Sequence, residues 1–540
     1  MPTHDIKDAA AMPLKGNAVS LRSELGVNIR ASAWMSLASL GGKAMAVFKT
    51  VAIASIFGVS GNLDAFWVAF VIPNILPVFL RSAFVTSFVP FFMRRVQDGD
   101  ETELWRAANV LFTAAVLVSV AMSVVLYVEP QWLIGWMAPG LSPEVAATAA
   151  NLLRITVFSL LFVVAISMLT AIAHCKQRFV ASSLESLTTN VTVIVAIYLF
   201  AHGWGVTALA VGTVLGFAVQ FAVMAWSCRH ELLRHIRPSF AFQLPLFREY
   251  LGGVAPVLIG AVSGIAMGII SQVLLSYLDK GSVSVFQYAA MVAMLPIEIF
   301  AGSVQATFFP TIAKYSQGNR EAVVDAHVLA ARLLVFVLTP MTVLLMVLDE
   351  HVIRVLFGYG KFSDSAVHST AVVLSCLAVG IVGRGLTYFN FQVLHALGRP
   401  WAQVKIGFIQ LAMNALFSYA LMHWFGLAGI AMGSSLSLII SVFISYALMM
   451  DLIDGKVVTR ALAPMLKTVG LGLVTYGMMY ALLRWVDLHA ITGTRWSYAA
   501  ATAAFSALGC VLFIVLAAMA GMTETRFVTG KLQKYLQRKR

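Results

Sequence analysis

The sequence predicts an all-α polytopic membrane protein of about 14 transmembrane helices. Two parallel six-helix lobes would surround a central cavity, followed by an extra C-terminal helix pair. Three observations predict it: the composition, the lengths of the apolar runs, and an internal repeat. The 540 residues are 60% hydrophobic and only 11% charged, with a mean hydropathy of +0.87. No soluble core needs that much apolar sequence.

Apolar runs long enough to span fall at 31–57, 65–93, 107–126, 149–173, 184–201, 205–226, 250–278, 284–313, 328–348, 369–396, 403–424, 426–450, 462–483 and 498–520. The organisation that follows is an N-terminal tail (1–30), a first lobe (31–226), a second lobe (250–450), an added pair (462–520) and a basic tail (521–540). Residues 1–30 are polar and lack the apolar core of a cleaved signal peptide. Alternate loops are basic, with Arg94, Arg95 and Arg106, then Lys176 and Arg178, then Arg229, Arg234, Arg237 and Arg248. Since positive loops stay inside, both termini are expected in the cytoplasm. The net charge of +13 follows from this topology. No basic stripe with interleaved aromatics suggests nucleic acid.

The repeat has a period of roughly 220 residues. Phe84, Phe88 and Pro90 recur as Val304, Phe308 and Pro310, and the run from Gly205 to Gly212 recurs from Gly426 to Gly433. Six helices per copy leave both copies in the same orientation, which suits one lobe rocking against the other. Pro73 and Pro77 either hinge that motion or set a static kink.

The stretch from Lys43 to Pro90 carries Lys43, Lys49 and Arg81 inside two apolar segments. A cation at mid-membrane costs roughly 2.5–3.5 kcal/mol on insertion scales, so these are expected to face a wet cavity, with snorkelling or internal pairing as the alternative. Arg154 adds to them, and Arg384 is the deepest cation of the second lobe. Glu298 reads as a buried acid able to pair with Arg384 or with a cation across the cavity. This sign of charge asks for an anionic solute. A diphosphate fits, and so would chloride or a carboxylate.

Other chemistry finds little support. Cys175, Cys228, Cys376 and Cys510 lack metal spacing, so no metal site is expected, and no phosphate loop for ATP is present. The short amphipathic run from His351 to Phe362 is expected to lie on the outer face, as an anchor or as a cap over the opening.

Several stretches together resemble the MurJ (MviN) family of lipid II flippases within the wider multidrug and polysaccharide exporter superfamily. They are Ile56 to Gly58, Asp64 with Phe66, Pro73 with Asn74, Phe84, Phe88 to Pro90, Arg178 with Phe179, Asn190, Pro310, and Gly360 to Phe362. The resemblance implies a two-lobe transporter, not an enzyme. It would move an undecaprenyl-pyrophosphate-linked glycan, lipid II or a related exopolysaccharide unit, from inner to outer leaflet. Lys43, Lys49, Arg81, Arg154 and Arg384 would line its pyrophosphate and glycan cavity. Lys43 and Lys49 stand where that family usually has arginines, and Ala290, Met291 and Met294 where it has charges. No cofactor is expected; membrane potential or a counter-ion would drive the cycle. A cation-coupled small-molecule exporter, a membrane-embedded polysaccharide polymerase or ligase, and an inactive regulatory homologue are the competing expectations.

Overall fold

The computed structural model describes residues 18–81, 84, 88–89, 101–176, 178–241, 245–316, 319–452, 456–486 and 494–525. Side chains of 18–36, 76–79, 81, 101–104, 245–257, 260–261, 400, 451–452 and 456–457 fall outside the description. Pro90 and most of both tails likewise lie outside the described residues.

Among the described residues the secondary structure is helical. α1 (Ala18–Phe57) and α2 (Gly61–Arg81) are followed by α3 (Glu101–Val128), the short α4 (Pro130–Met137), α5 (Pro143–Thr156) and α6 (Ser159–Cys175). A single turn, α7 (Val180–Ser183), precedes the hairpin of α8 (Glu185–Trp204) and α9 (Thr207–Ser227). After α10 (Arg229–Arg234) come α11 (Pro245–Ser276), α12 (Ser282–Pro296), a π-helical turn (Ile297–Ala301) and α13 (Gly302–Tyr315). The chain ends with α14 (Arg320–Val347), α15 (Asp349–Phe357), α16 (Asp364–Ala378), α17 (Ile381–Ala396), α18 (Pro400–Leu452), α19 (Lys456–Trp485) and α20 (Arg495–Met519).

Nine helices among the described residues are long and apolar enough to cross a membrane, or eleven when the pairs α5/α6, bent by 42°, and α16/α17, bent by 46°, each count as one span. One of the three further spans in the expected fourteen comes from a fold-back. The apolar stretch Trp401–Met450 of α18 reverses direction at Gly426, where φ is 54° and ψ −127°. It therefore holds two legs. They pack closely, because a Cβ on Gly433 would meet the Ser418 backbone, and the Ser418 hydroxyl donates to the Ile430 carbonyl at 3.2 Å. Small residues permit this approach in a membrane, where packing rather than water drives helix association.

The repeat has a conformational counterpart. Gly205, between α8 and α9, adopts φ 55° and ψ −134°, nearly the values of Gly426. Both copies turn on a glycine in a region that side chains with a Cβ avoid. Gly212 then packs against Ala196 as Gly433 packs against Ser418.

Helices α1 to α9 pack chiefly among themselves, as do α11 to α18, and α19 and α20 lie against α14. The connecting segment is strapped to the first group. Asn109 of α3 donates to the His235 carbonyl at 2.8 Å and accepts from the Arg237 N–H at 3.2 Å, while Trp105 stacks on His235. In the second group, buried His327 bonds Asn390 at 2.9 Å and Asn390 donates to Ser445 at 2.7 Å, a polar chain joining α14, α17 and α18. Such bonds tie helices together where no water can replace them.

Candidate functional site

Contacts between the two helix groups concentrate at the end of the bundle that carries Gly58. Asp64, 3% exposed on the first turn of α2, accepts from the Gly281 and Ser284 N–H groups and from the Ser284 hydroxyl. It thereby satisfies the otherwise orphaned first-turn donors of α12, a helix of the other group. Nearby, the Tyr288 hydroxyl donates to the Gly58 carbonyl at 3.1 Å and the Lys361 N–H donates to the Ser55 carbonyl at 2.8 Å. The Gly140 N–H reaches Ser276 Oγ at 3.0 Å, and Lys280 pairs with Glu144 at 3.5 Å. The run from His351 to Phe362 thus contributes a contact across the groups as well as a surface helix.

Midway along α1 the character of the interface changes. Gly42 lets α1 lie close to α8, since a Cβ there would fall 2.8 Å from Ser186 Cβ, and Asn190 donates to the Gly42 carbonyl at 3.4 Å. Lys43 follows and reaches the π-helical turn. Its Nζ donates to the Glu298 carbonyl at 2.8 Å and lies 3.8 Å from the Glu298 carboxylate. Pro296, which has no N–H to give, immediately precedes this turn, and π-turns recur at functional sites because they re-aim a side chain and a carbonyl together.

The Lys43 and Glu298 side chains are 36% and 46% exposed. The expected burial of Glu298 is corrected: the acid is open. Its partner across the interface is Lys43, while Arg384 sits 3.2 Å from the Met294 sulfur, one turn before Glu298. Two cations from different helix groups therefore converge on residues 294–298. Past Glu298, α13 exposes Gly302, Ser303, Ala306 and Thr307.

The other candidate residues are placed differently. Lys49 lies two turns beyond Gly42, on the face of α1 turned to α8, and is half-buried. Arg81 is the last residue of α2, and its side chain is outside the description. Arg154 donates to the Tyr127 carbonyl at 3.2 Å and to Asn151 at 3.1 Å, a cation set on the final carbonyls of α3. The structure does not bring it to Lys43. Phe66 is buried and stacked on Phe70, Pro73 is buried and Asn74 exposed. Sequence reading missed Gly281, Ser284, Tyr288 and Gly360 as partners across the groups. Glycines ahead of apolar helices, and for Gly360 the family stretch as well, were their signal.

A helical membrane protein whose two helix groups meet at one end, with half-buried cations near their mid-length, is built as a transporter. The family model described as "Lipid II flippase MurJ" matches residues 53–487, and the chain belongs to that family. It is 26% identical over 409 residues to the "Probable lipid II flippase MurJ" of Buchnera aphidicola subsp. Acyrthosiphon pisum (strain APS), covering 75% of this chain and 80% of that protein. Among solved structures it is similar to a lipid II flippase MurJ in an inward closed conformation, with a TM-score of 0.75 and 21% identity over 89% of this chain and 97% of the other. It is also similar to an inward-facing multidrug resistance MATE family transporter of the MOP superfamily, with a TM-score of 0.65 and 17% identity over 77% and 95% of the two chains.

Proposed function

We propose that this protein is a flippase that carries an undecaprenyl-pyrophosphate-linked glycan precursor, lipid II, from the inner to the outer leaflet of the bacterial cytoplasmic membrane. The observation that carries the reading is the convergence of Lys43 and Arg384 on an exposed turn midway along apolar helices, beyond a closed end. Cations kept half-buried at that depth suit a doubly charged phosphate anion, to which Lys and Arg each donate several charge-assisted bonds. Membership of the MurJ family supports the substrate class.

In this reading α1–α9 form the first lobe, α11–α18 the second, and α19 with α20 the added pair. The chain has fourteen spans, α2, α11 and both legs of α18 each counting as one, and both termini are cytoplasmic. The Gly58 end then faces outward, so the closed state receives substrate from inside. Lys49, Arg81 and Arg154 extend the cationic path, and the membrane potential or a counter-ion drives return. The polyprenyl chain stays in lipid while the headgroup crosses. A lipid-linked exopolysaccharide unit is the second reading, favoured by the uncharged Ala290, Met291 and Met294, the last of which lies against Arg384.

Depletion of the protein from cells, with mass spectrometry of undecaprenyl-linked intermediates and probing of their leaflet from outside, tests this. Lipid II accumulating in the inner leaflet is the expected result. Accumulation of a different lipid-linked oligosaccharide assigns the second reading, and no accumulation of either overturns both.

A further inference from the structure

We propose that Glu298 is a resident anion that occupies Lys43 when no substrate is bound and competes with the incoming pyrophosphate for it. The proposal rests on the flippase reading and deepens it by naming a residue that sets headgroup affinity and release.

The geometry divides the hold on Lys43 into two parts. The Glu298 carbonyl, presented by the π-helical turn, accepts directly from Nζ at 2.8 Å, whereas the carboxylate of the same residue stands off at 3.8 Å. The first contact orients the ammonium and does not depend on the side chain's charge. The second is an ion pair without a close hydrogen bond, between side chains each more than a third exposed. Water and mobile ions screen such a pair, so it is weak and readily exchanged. An ammonium has three donors, and the carbonyl takes one. The side chain is 36% exposed, so the other two can be offered to a solute beside a carboxylate that can be displaced.

A pyrophosphate brings more negative charge and more acceptor oxygens than a carboxylate, so it displaces Glu298 from Lys43 without breaking the bond to the carbonyl. Arg384, whose contact with the Met294 sulfur is lost at little cost because that sulfur is a weak acceptor, lies one turn away to take a second headgroup oxygen. Once freed, the carboxylate repels the bound anion. This repulsion keeps binding loose enough for release, as a carrier that must also let go requires. The pair further ties α1 to the π-turn across the two groups, so anion entry removes one link between them.

The test uses the full chain in nanodiscs of neutral lipid, titrated with undecaprenyl pyrophosphate and separately with inorganic pyrophosphate, for the wild type, Glu298→Gln, Glu298→Asp and Lys43→Ala. Glu298→Gln keeps shape and the carbonyl contact while removing the charge. It is expected to bind both anions about fivefold more tightly, about 1 kcal/mol, with slower release of the lipid-linked form. Glu298→Asp is expected to remain near the wild type. Equal or weaker binding by Glu298→Gln, with the wild type binding and Lys43→Ala impaired, overturns the competition and leaves the flippase reading standing. A wild type that binds neither anion, or inorganic pyrophosphate alone, overturns that reading and the competition with it.

Discussion

Asp64 and Ser284, 220 residues apart in the chain, form a cap that crosses from one helix group to the other: the Ser284 N–H donates to Asp64 Oδ1 at 2.8 Å and its hydroxyl to the same oxygen at 2.5 Å. A helix start is ordinarily capped by a residue next to it in sequence. Here the cap for α12 belongs to α2, so separating the groups uncaps the helix. Closure at the Gly58 end and completion of α12 are one event.

Replacement of Asp64 by Ala should therefore loosen the closed end. Hydrogen bonds to a charged acceptor contribute about 1.5–3 kcal/mol each, and three donors lose theirs. In a background without the four native cysteines, a Tyr288→Cys probe is expected to react at least tenfold faster with a membrane-impermeant thiol reagent when Asp64→Ala is added. An unchanged rate would show that the cap does not hold the end shut.

Gly360 makes a second, steric prediction. Its φ is +60°, and a Cβ there would collide with the Ser55 carbonyl oxygen, the acceptor for the Lys361 N–H. Gly360→Ala combines left-handed strain of about 1–2 kcal/mol with loss of that contact, and should lower lipid II translocation in proteoliposomes about tenfold. Gly398→Ala is the matched comparison, with φ +68° but open space around it. It should cost only the strain. Equal effects from the two would remove the steric argument.

Lys43→Ala should abolish translocation while the protein still inserts and folds. Losing a charge-assisted bond to the headgroup weakens undecaprenyl pyrophosphate binding by about ten- to a hundredfold. Lys43→Arg keeps the charge and should retain binding. Full transport by the alanine variant, measured in proteoliposomes with equal protein incorporation, would take Lys43 out of the mechanism.

The surface helix α15 gives a pH prediction. Arg354 donates to Glu350 at 2.9 Å and also pairs with Asp364, and its hydrogen bond holds the Glu350 carboxyl below its ordinary value of 4.5. A depressed folded value means the stabilisation is present above pH 4.5 and is lost as the pH falls through the lower value. The side chain is 41% exposed, so screening keeps the effect small. The wild type should melt slightly above Glu350→Gln at pH 7, with the difference vanishing in acid. A gap that widens on acidification would reverse the assignment.

How much was legible in advance varied with how local the cause was. Apolar run lengths and the glycine turn at Gly426 depend on residues near in sequence, and so did the repeat that Gly205 shares with it. The family stretches around Asp64 were legible for the same reason. Glu298 was recognised as a partner for a cation, but its exposure and its choice of Lys43 were not, because a π-turn after Pro296 shifts which way residues 297–301 face. Helical periodicity cannot register that shift. Arg154 is similar: its acceptor, the Tyr127 carbonyl at the end of α3, lies 27 residues away and no local pattern names it.

The sequence by itself determined that this chain is a helical membrane protein with cations at depth, because apolar run length and buried charge are properties of a segment and its solvent. Only the tertiary structure decided which end is closed and which cations meet. The bonds responsible, Asp64 to Ser284 and Lys43 to Glu298, join residues 220 and 255 positions apart. Contacts over such separations are set by how whole helices pack, which no local pattern encodes.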